Sequence, residues 1–481
     1  VRMKEIKNWL SLFTAVIETL CFSGIIYGWG SMSYMLEKEG FFNLFCRDFV
    51  GYANNTISSG LQGHAGVVCK EQEKMLTLVF TLSAFISALM FVWGYIFDKL
   101  GTSAFRFCGV SLYIAGWLLM AVTTRKESLA VFLAMIFVGI SVFPVLMSNV
   151  PVSNLFPKNR VLMIAVLNGA FDSSALTFAL MKISYDSGIA FCYIMYFAAV
   201  CGLLMVARFL FLMPRMHIPS TVPDGFQYGI QCCSNKQQVV TQEKVMLYEK
   251  LIDEAPKNTV SLKSCLLSVS FILNCFHLGV LQLRNQFFYG TIMPWLVQVG
   301  HGNRNETSSY LNSFGVIQLC GILVSPIGGI LTDFRIKKLS RKFTVESATR
   351  KSVAIYTGLS SVIAILFSIM VLVPVLRLQY LSFLLQVVFR SFLYGGNAAF
   401  LLTTFPSEHF GKVYSITVTF GSIIALLQYP LFLAVTNIYG GDFTAINLAL
   451  LVISVATIVH PIVLYDERNC QSHAGKSTLI V

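Results

Sequence analysis

Apolar stretches long enough to cross a lipid bilayer recur along the whole chain of 481 residues. A membrane-spanning helix needs roughly 17–25 mainly apolar residues, and twelve stretches meet that requirement. They lie at about 9–35, 74–97, 104–123, 128–151, 161–183, 189–212, 264–292, 308–332, 352–374, 379–403, 412–437 and 444–465. Backbone groups in lipid must be hydrogen-bonded within the protein, so stretches of this length are predicted to be helices.

The charge content agrees with a membrane protein. Only 12% of the residues are charged and 56% are hydrophobic, whereas soluble domains carry about 25% charged residues. A transmembrane β-barrel would show short alternating segments, and the sequence does not have them. We therefore expect an all-α polytopic membrane protein with twelve transmembrane helices.

The longest interior hydrophilic stretch, 213–263, divides the chain into two sets of six predicted helices. The segment "GYIFDKLGTSAFR" after the second span is echoed by "GGILTDFRIKK" after the eighth, with a glycine and an aspartate four residues apart before a cation. Such echoes indicate a duplicated unit. The predicted domains are an N-terminal six-helix bundle at 1–212, a cytoplasmic linker at 213–263, a C-terminal six-helix bundle at 264–465 and a cytoplasmic tail at 466–481.

The two echoed segments supply the residues of a candidate conformational latch. These residues are Gly94, Asp98, Lys99 and Arg106 in the first segment and Asp333 and Arg335 in the second. Gly94 would let a neighbouring helix approach closely, and Asp98 would accept hydrogen bonds from a helix N-terminus or pair with Arg106. These contacts would hold the halves together in one conformation. The alternative is an ordinary helix end whose charges fix the topology.

Lysine and arginine concentrate in the segments that share a side with the N-terminus, above all in 208–263 and 335–351. The positive-inside rule then places both termini in the cytoplasm. The opposite side carries two glycosylation sequons, at Asn54 and at Asn305. The basic run "RIKKLSRK" is interpreted as a topology anchor near anionic lipid, so we expect no nucleic-acid partner.

Cys46 and Cys69 flank the first sequon in the first external loop. External cysteines meet an oxidising compartment, so we predict a disulfide between them, with two free thiols as the alternative. The sequence has no P-loop, no metal-ligand spacing of histidine and cysteine, and no nucleophile–base set. We therefore expect no enzyme activity, no cofactor and no metal. A non-transporting receptor is the other class considered, and two echoed halves favour a transporter.

Asp172 and Arg390 both lie near the middle of predicted spans, the fifth and the tenth. Charges at that depth are costly and face a cavity or each other. Two interpretations stay open: the two residues line the substrate path, or they form a gating ion pair between the halves. Asn168, one helical turn before Asp172, shares its face and is expected to join the same polar network.

Further polar residues within spans are candidates for substrate binding: Glu18, Gln282, Arg390, Tyr394 and Asn397. Glu18 would accept from N–H groups of a base, or it would bond to a neighbouring helix. Gln282 and Asn397 carry amides that both donate and accept, and Tyr394 would stack on a ring. A flat neutral base needs amides and aromatic faces, whereas a zwitterionic amino acid needs a cation for its carboxylate and a carboxylate or helix carbonyls for its amine. The sequence supplies both sets.

Gly94, Asp98, Lys99, Gly101 and Arg106 match the loop signature of the major facilitator superfamily. In addition, "NGAFDSSA" at 168–175, "LMPRMHIP" at 212–219, "RSFLYGGNAAF" at 390–400 and "FPSEHFGK" at 405–412 resemble solute carrier family 43. The chain is most similar to the equilibrative nucleobase transporter branch of that family, whose sibling branch carries large neutral amino acids.

The resemblance implies the major facilitator fold, with two pseudo-symmetric six-helix bundles and alternating access. It also implies facilitated, sodium-independent transport of purine bases such as adenine, guanine and hypoxanthine across the plasma membrane, without ion coupling. Transport of large neutral amino acids is the alternative. The expected partners are the purine substrate and the lipid bilayer, and we expect a monomer.

Overall fold

The computed structural model of the chain describes residues 2–49, 70–156, 160–213, 261–406 and 409–466. These residues form helices connected by short turns, and no β-strand occurs among them. The predicted all-α class is confirmed. The predicted linker between the halves lies almost wholly outside the described residues, as do Asn54 and Cys69, so these predictions are left as they stand.

The α-helices are labelled here in chain order. They are α1 (Arg2–Phe22), α2 (Trp29–Lys38), α3 (Lys70–Ser87), α4 (Met90–Val122), α5 (Ala130–Asn149), α6 (Arg160–Ser173), α7 (Leu176–Asp186), α8 (Phe191–Leu212), α9 (Leu262–Leu266), α10 (Val269–Val299), α11 (Arg304–Ile317), α12 (Cys320–Leu339), α13 (Val345–Leu372), α14 (Gln379–Thr404), α15 (Phe410–Ala425), α16 (Gln428–Asn437), α17 (Thr444–Ala456) and α18 (Val459–Tyr465).

Within the described ranges, up to ten membrane spans are recognised by length and apolar composition. Seven are single spans, and three are helix pairs bent by 43–46° at a short break. The bent pairs join α1 to α2, α3 to the start of α4, and α11 to α12. All ten overlap predicted spans. Helices α10 and α14 overlap the two remaining predictions, but their buried polar residues lower their apolar character, so the count of twelve stays a prediction.

Helix α4 corrects one boundary. The sequence predicts an interruption between the second and third spans, near residues 98–103, but the helix runs through without a break from Met90 to Val122. The glycine and the charges of "FDKLG" are therefore part of a helix. A continuous helix remains favourable here because every backbone group keeps its partner inside the segment.

Helices from each half of the chain pack on one another, α4 against α5 and α8 in the first half, and α13 against α14 in the second. The halves meet along a surface that we call the seam, where α2, α3, α4, α6 and α7 face α10, α11, α12, α14, α15 and α16. The approach is close: a Cβ atom on Gly30 would lie 2.6 Å from the side chain of Ile292. The seam brings together side chains distant in sequence.

Candidate functional site

The ion pair of Asp172 and Arg390 lies at the centre of the seam. Asp172 is on the last turn of α6, before the chain breaks into α7, and Arg390 is in the middle of α14. Nε of Arg390 is 2.9 Å from Oδ1 of Asp172, although its N–H bond is not directed at that oxygen. The hydroxyl of Ser391 donates to the other carboxylate oxygen at 3.2 Å. The contact is thus mainly electrostatic, and it joins the two halves.

Aromatic rings surround the guanidinium group of Arg390. Its central carbon is 3.8 Å from the ring centroid of Tyr27, and Nη1 donates to the hydroxyl of Tyr289 at 3.1 Å. The same hydroxyl accepts a 2.6 Å hydrogen bond from Gln386, whose amide also reaches Asn285. A ring face attracts a cation, so this shell stabilises a charge that the apolar surroundings would otherwise oppose.

Asn168 does not join the network that the sequence predicts for it. Its side chain is exposed, and the described hydrogen bonds of Asp172 and Arg390 do not include it. Gly169, the next residue, packs close to the backbone of Ile322 instead. The face of α6 that carries Gly169 packs against α12, and Asn168 lies on a different face of the helix.

The two other candidates on α14 lie one and two turns beyond Arg390. Tyr394 is half-buried. Asn397 is buried, and its Oδ1 accepts a 2.8 Å hydrogen bond from Asn274 on α10. Asn397 therefore ties two helices of the second half together, and its amide nitrogen has no partner among the described residues.

Glu18 forms a buried cluster inside the first half. Arg106 of α4 and Arg208 of α8 each pair with one of its carboxylate oxygens. Asn149 of α5 donates to the carboxylate at 3.0 Å. Of the two roles that the sequence left open for Glu18, bonding between helices is the one that this geometry matches, since both oxygens are engaged.

This cluster corrects the predicted pairing of Asp98 with Arg106. Eight residues along one continuous helix separate them by about 12 Å, and Arg106 is turned towards Glu18 and Ser148. The side chains of Asp98 and Lys99 lie outside what the structure describes. The close approach expected at Gly94 is not found among the described residues either, because a Cβ atom there would meet none of their atoms within 4 Å.

The echoed segment on α12 also lacks the predicted latch contacts among the described residues. Asp333 is exposed and Arg335 is half-buried. Neither forms an ion pair with another described residue, and a Cβ on Gly329 would meet nothing within 4 Å. On α12 the described residues therefore show none of the contacts predicted for the latch, and the contribution of Asp98 and Lys99 stays a prediction.

On α10 the polar residues divide between two directions. Gln282 faces the seam, and its amide donates to Ser422 at 3.0 Å. Arg284 points the other way, into the second half, where Nε donates to Ser368 at 2.9 Å and the guanidinium covers the ring of Phe367. His277 contacts Ser361 at 3.0 Å in the same interior. Successive residues of an α-helix are rotated by about 100°, so Arg284, two residues after Gln282, and His277, five residues before it, both point away from the face that carries Gln282.

The sequence analysis missed a polar closure of the seam on the predicted external side. Lys182 of α7 is buried and donates to Asp186 at 2.7 Å and to Asn312 of α11 at 3.0 Å. Arg304 of α11 pairs with Glu37 of α2 at 2.7 Å. The basic residues resemble the flanking charges of ordinary spans. The sequence signal for their partners was limited to the acidic and amide groups that lie at a similar depth in other spans.

Asn305 is exposed at the start of α11, so its side chain is accessible. Cys46 is disulfide-bonded, but the predicted partner Cys69 lies outside the described residues, so the pairing stays a prediction. Among the described residues, no group of three or more histidine, cysteine, aspartate or glutamate side chains could hold a metal ion.

The family model described as Major Facilitator Superfamily matches residues 40–427. The chain belongs to the major facilitator superfamily. It is 34% identical to the Bos taurus protein named Equilibrative nucleobase transporter 1, covering 96% of both chains. It is 27% identical to the Mus musculus Large neutral amino acids transporter small subunit 3, covering 96% of this chain and 94% of the relative. The resemblance predicted from the motifs is confirmed.

Solved structures of this superfamily share the fold. The crystal structure of a POT family transporter in complex with 5-aminolevulinic acid has a TM-score of 0.58 and 13% sequence identity, and the match covers 93% of this chain and 96% of that one. As a superfamily member, the protein is a multi-pass membrane transporter rather than an enzyme. The seam between its halves is therefore the candidate substrate path.

Proposed function

We propose that the protein is a facilitative, sodium-independent transporter of purine nucleobases across the plasma membrane, with both termini in the cytoplasm. The observation that carries this proposal is the 34% identity to an equilibrative nucleobase transporter over nearly the full length of both chains. The match extends over 96% of both chains and therefore includes the helices that form the seam, where a carried molecule must pass.

The distribution of charge along the seam supports a neutral substrate. The carboxylate of Asp172 is engaged by Arg390 and Ser391, and Glu18 is engaged inside the first half. A zwitterionic substrate would need a carboxylate or helix carbonyls for its ammonium group, and both of these carboxylates are already engaged. Aromatic faces and amides, which remain at the seam, suit the faces and edges of a planar base.

Transport would proceed by alternating access, in which two six-helix bundles of the predicted twelve-helix fold rock about the central pair. The polar contacts of Lys182 and Arg304 close one end of the seam, while Gly94 and Gly329 at the other end have no close neighbour among the residues that the structure describes. This asymmetry is that expected of a carrier closed on one side.

The second candidate function is transport of large neutral amino acids. It is favoured by the 27% identity to the Mus musculus relative and by Nη2 of Arg390, which lacks a described hydrogen-bond partner and would bind a carboxylate. This alternative leaves the ammonium group of the amino acid without a free acidic partner at the centre of the seam.

Uptake of radiolabelled adenine and leucine into cells that express the full chain separates the two functions. We expect saturable adenine uptake that is unchanged when choline replaces external sodium. Untransfected cells and an Arg390→Gln variant, matched for surface level, give the background. Leucine uptake without adenine uptake would reject the nucleobase proposal and favour the alternative.

A further inference from the structure

A small cavity lies on the seam beside α3, apart from the central ion pair. Its volume is about 10 Å³, enough for one water molecule. It lies beside the ends of two helices, where α3 stops at Ser87 and where α15 gives way to α16. The cavity is lined by Thr81, Ala84, Phe85, Gln282, Gln286, Ser422, Ala425, Leu426 and Gln428. None of these lining residues is charged.

Three glutamine side chains converge on this cavity. Gln282, Gln286 and Gln428 are 1%, 2% and 3% exposed, and the Oε1 atom of each has no hydrogen-bond partner among the described residues. A buried acceptor without a partner costs about 1–3 kcal/mol. Three such acceptors at one cavity form an arrangement that a hydrogen-bond donor would stabilise.

The hydrogen bonds around Gln282 fix which atom of its amide can accept a further hydrogen bond. Its Nε2 donates to Oγ of Ser422 at 3.0 Å. The hydroxyl of Ser422 already donates its only proton to the carbonyl of Val418 at 2.8 Å, so it can only accept from Gln282. The oxygen of Gln282 is therefore the atom left for another donor.

Two glycines keep space for the amide oxygens. A Cβ atom on Gly421 would lie 2.5 Å from Oε1 of Gln282, and one on Gly290 would lie 3.4 Å from Oε1 of Gln428. Gly290 also lets Phe80 of α3 approach, because its added Cβ would be 2.8 Å from that ring. Any side chain at Gly421 would displace the Gln282 amide.

One residue of the cavity reaches the central site. Gln286 also neighbours the hydroxyl of Tyr27, and the ring of Tyr27 covers Arg390. We propose that Gln282, Gln286 and Gln428 form a carboxamide subsite that accepts hydrogen bonds from the ring N–H and amino groups of a neutral heterocyclic substrate. The inference rests on the proposed nucleobase transport and adds the residues that read the substrate edge.

The subsite is contracted while α3 packs on α10, because a space of about 10 Å³ does not admit a purine ring. Substrate meets the three oxygens when the seam opens during the transport cycle, and the closed seam leaves them unpaired. A substrate with adjacent N–H donors is thus favoured over one whose donors are methylated, since methylation leaves the same buried acceptors without a partner.

The test is a cycle that combines protein and ligand changes. Full-length wild type, Gln286→Leu and Gln428→Leu are compared for inhibition of adenine uptake by adenine, hypoxanthine and derivatives methylated singly at each N–H position. Gln379→Leu is the matched control. Gln379 is also buried, but its amide bonds to the carbonyls of Val373 and Val375 away from the cavity.

We expect at least one methylation to weaken inhibition of the wild type tenfold or more. Each cavity variant should weaken the unmodified base by a similar factor and leave the inhibition by that methylated derivative unchanged, whereas Gln379→Leu should not alter the ratio between the two ligands. Where surface levels fall, ligand-induced thermal stabilisation of the purified chain gives the same ratios.

If the cavity serves only packing or a bound water, each variant should weaken inhibition by all the ligands by one common factor or not at all. That result, with adenine uptake retained, would overturn the subsite. Leucine uptake with no purine binding would overturn both the subsite and the proposed function. The two failures are therefore distinguishable.

Discussion

Replacement of Asp172 by asparagine tests the central ion pair most directly. Arg390 is 1% exposed, so the substitution leaves a buried cation without its carboxylate. Breaking a buried pair by removing one partner costs roughly 3–5 kcal/mol. The Tyr27 ring and the Tyr289 hydroxyl remain as partners of Arg390, which keeps the expected loss towards the lower end of that range.

The charge exchange, Asp172→Arg with Arg390→Asp, restores opposite charges at the same two positions. It should recover only part of the loss. The carboxylate at position 390 would then lie against the face of Tyr27, which attracts cations, and the contribution of that contact is about 0.5–2 kcal/mol. We therefore expect the order of stability to be wild type, then the exchanged pair, then either single variant.

Stability is measured as the fraction of detergent-solubilised protein that remains monodisperse after heating, together with adenine uptake per molecule at the surface. Glu127→Gln is the control, since Glu127 is an exposed carboxylate away from the seam. An exchanged pair no more stable than the single variants, or an Asp172→Asn protein that melts and transports like the wild type, would refute the pairing argument.

Three further predictions follow from other parts of the seam. Lys182→Met removes charged hydrogen bonds to α11 worth about 1.5–3 kcal/mol, so a cysteine placed at the external mouth should label at least tenfold faster; unchanged labelling would show that the contact does not hold that end closed. Asp98→Asn should slow transport with surface level and substrate binding preserved and speed labelling of a cytoplasmic-mouth cysteine, because the carboxylate would accept hydrogen bonds from the N-terminus of a neighbouring helix when that side is closed, a contact worth roughly 0.3–2 kcal/mol; slower transport with unchanged labelling would count against a latch. Asn305→Gln should lower the apparent mass by one glycan with uptake intact. If glycosidase treatment changes the mass of neither protein, the predicted glycosylation of Asn305 on the external side is wrong.

Much of the fold could be read from single stretches of the sequence. The apolar stretches predicted all ten spans recognised by length and apolar composition, and they did so without any tertiary information. The depth of Asp172 and Arg390 likewise predicted that the two charges would need partners. Both inferences rest on the same cause: hydrocarbon penalises each unpaired polar group independently.

The sequence did not predict which of several possible partners a polar side chain contacts. Arg106 and Arg208 read as cytoplasmic flanking charges, whereas they lie beside Glu18 within the first half. The three helices that carry these residues meet only in the folded protein. The rotation of each helix about its axis, which also turned Asn168 away from the pair, is set by packing against its neighbours.

The sequence by itself determined that the chain is helical, crosses the membrane many times and carries charged residues within its spans. Only the tertiary structure decided which charges neutralise one another, that α4 continues through the predicted break, and that three glutamines face one cavity. The bilayer acts on each residue according to its depth, which is a one-dimensional property of the chain. Contacts across the seam depend on helix rotation and crossing, which a linear pattern does not contain.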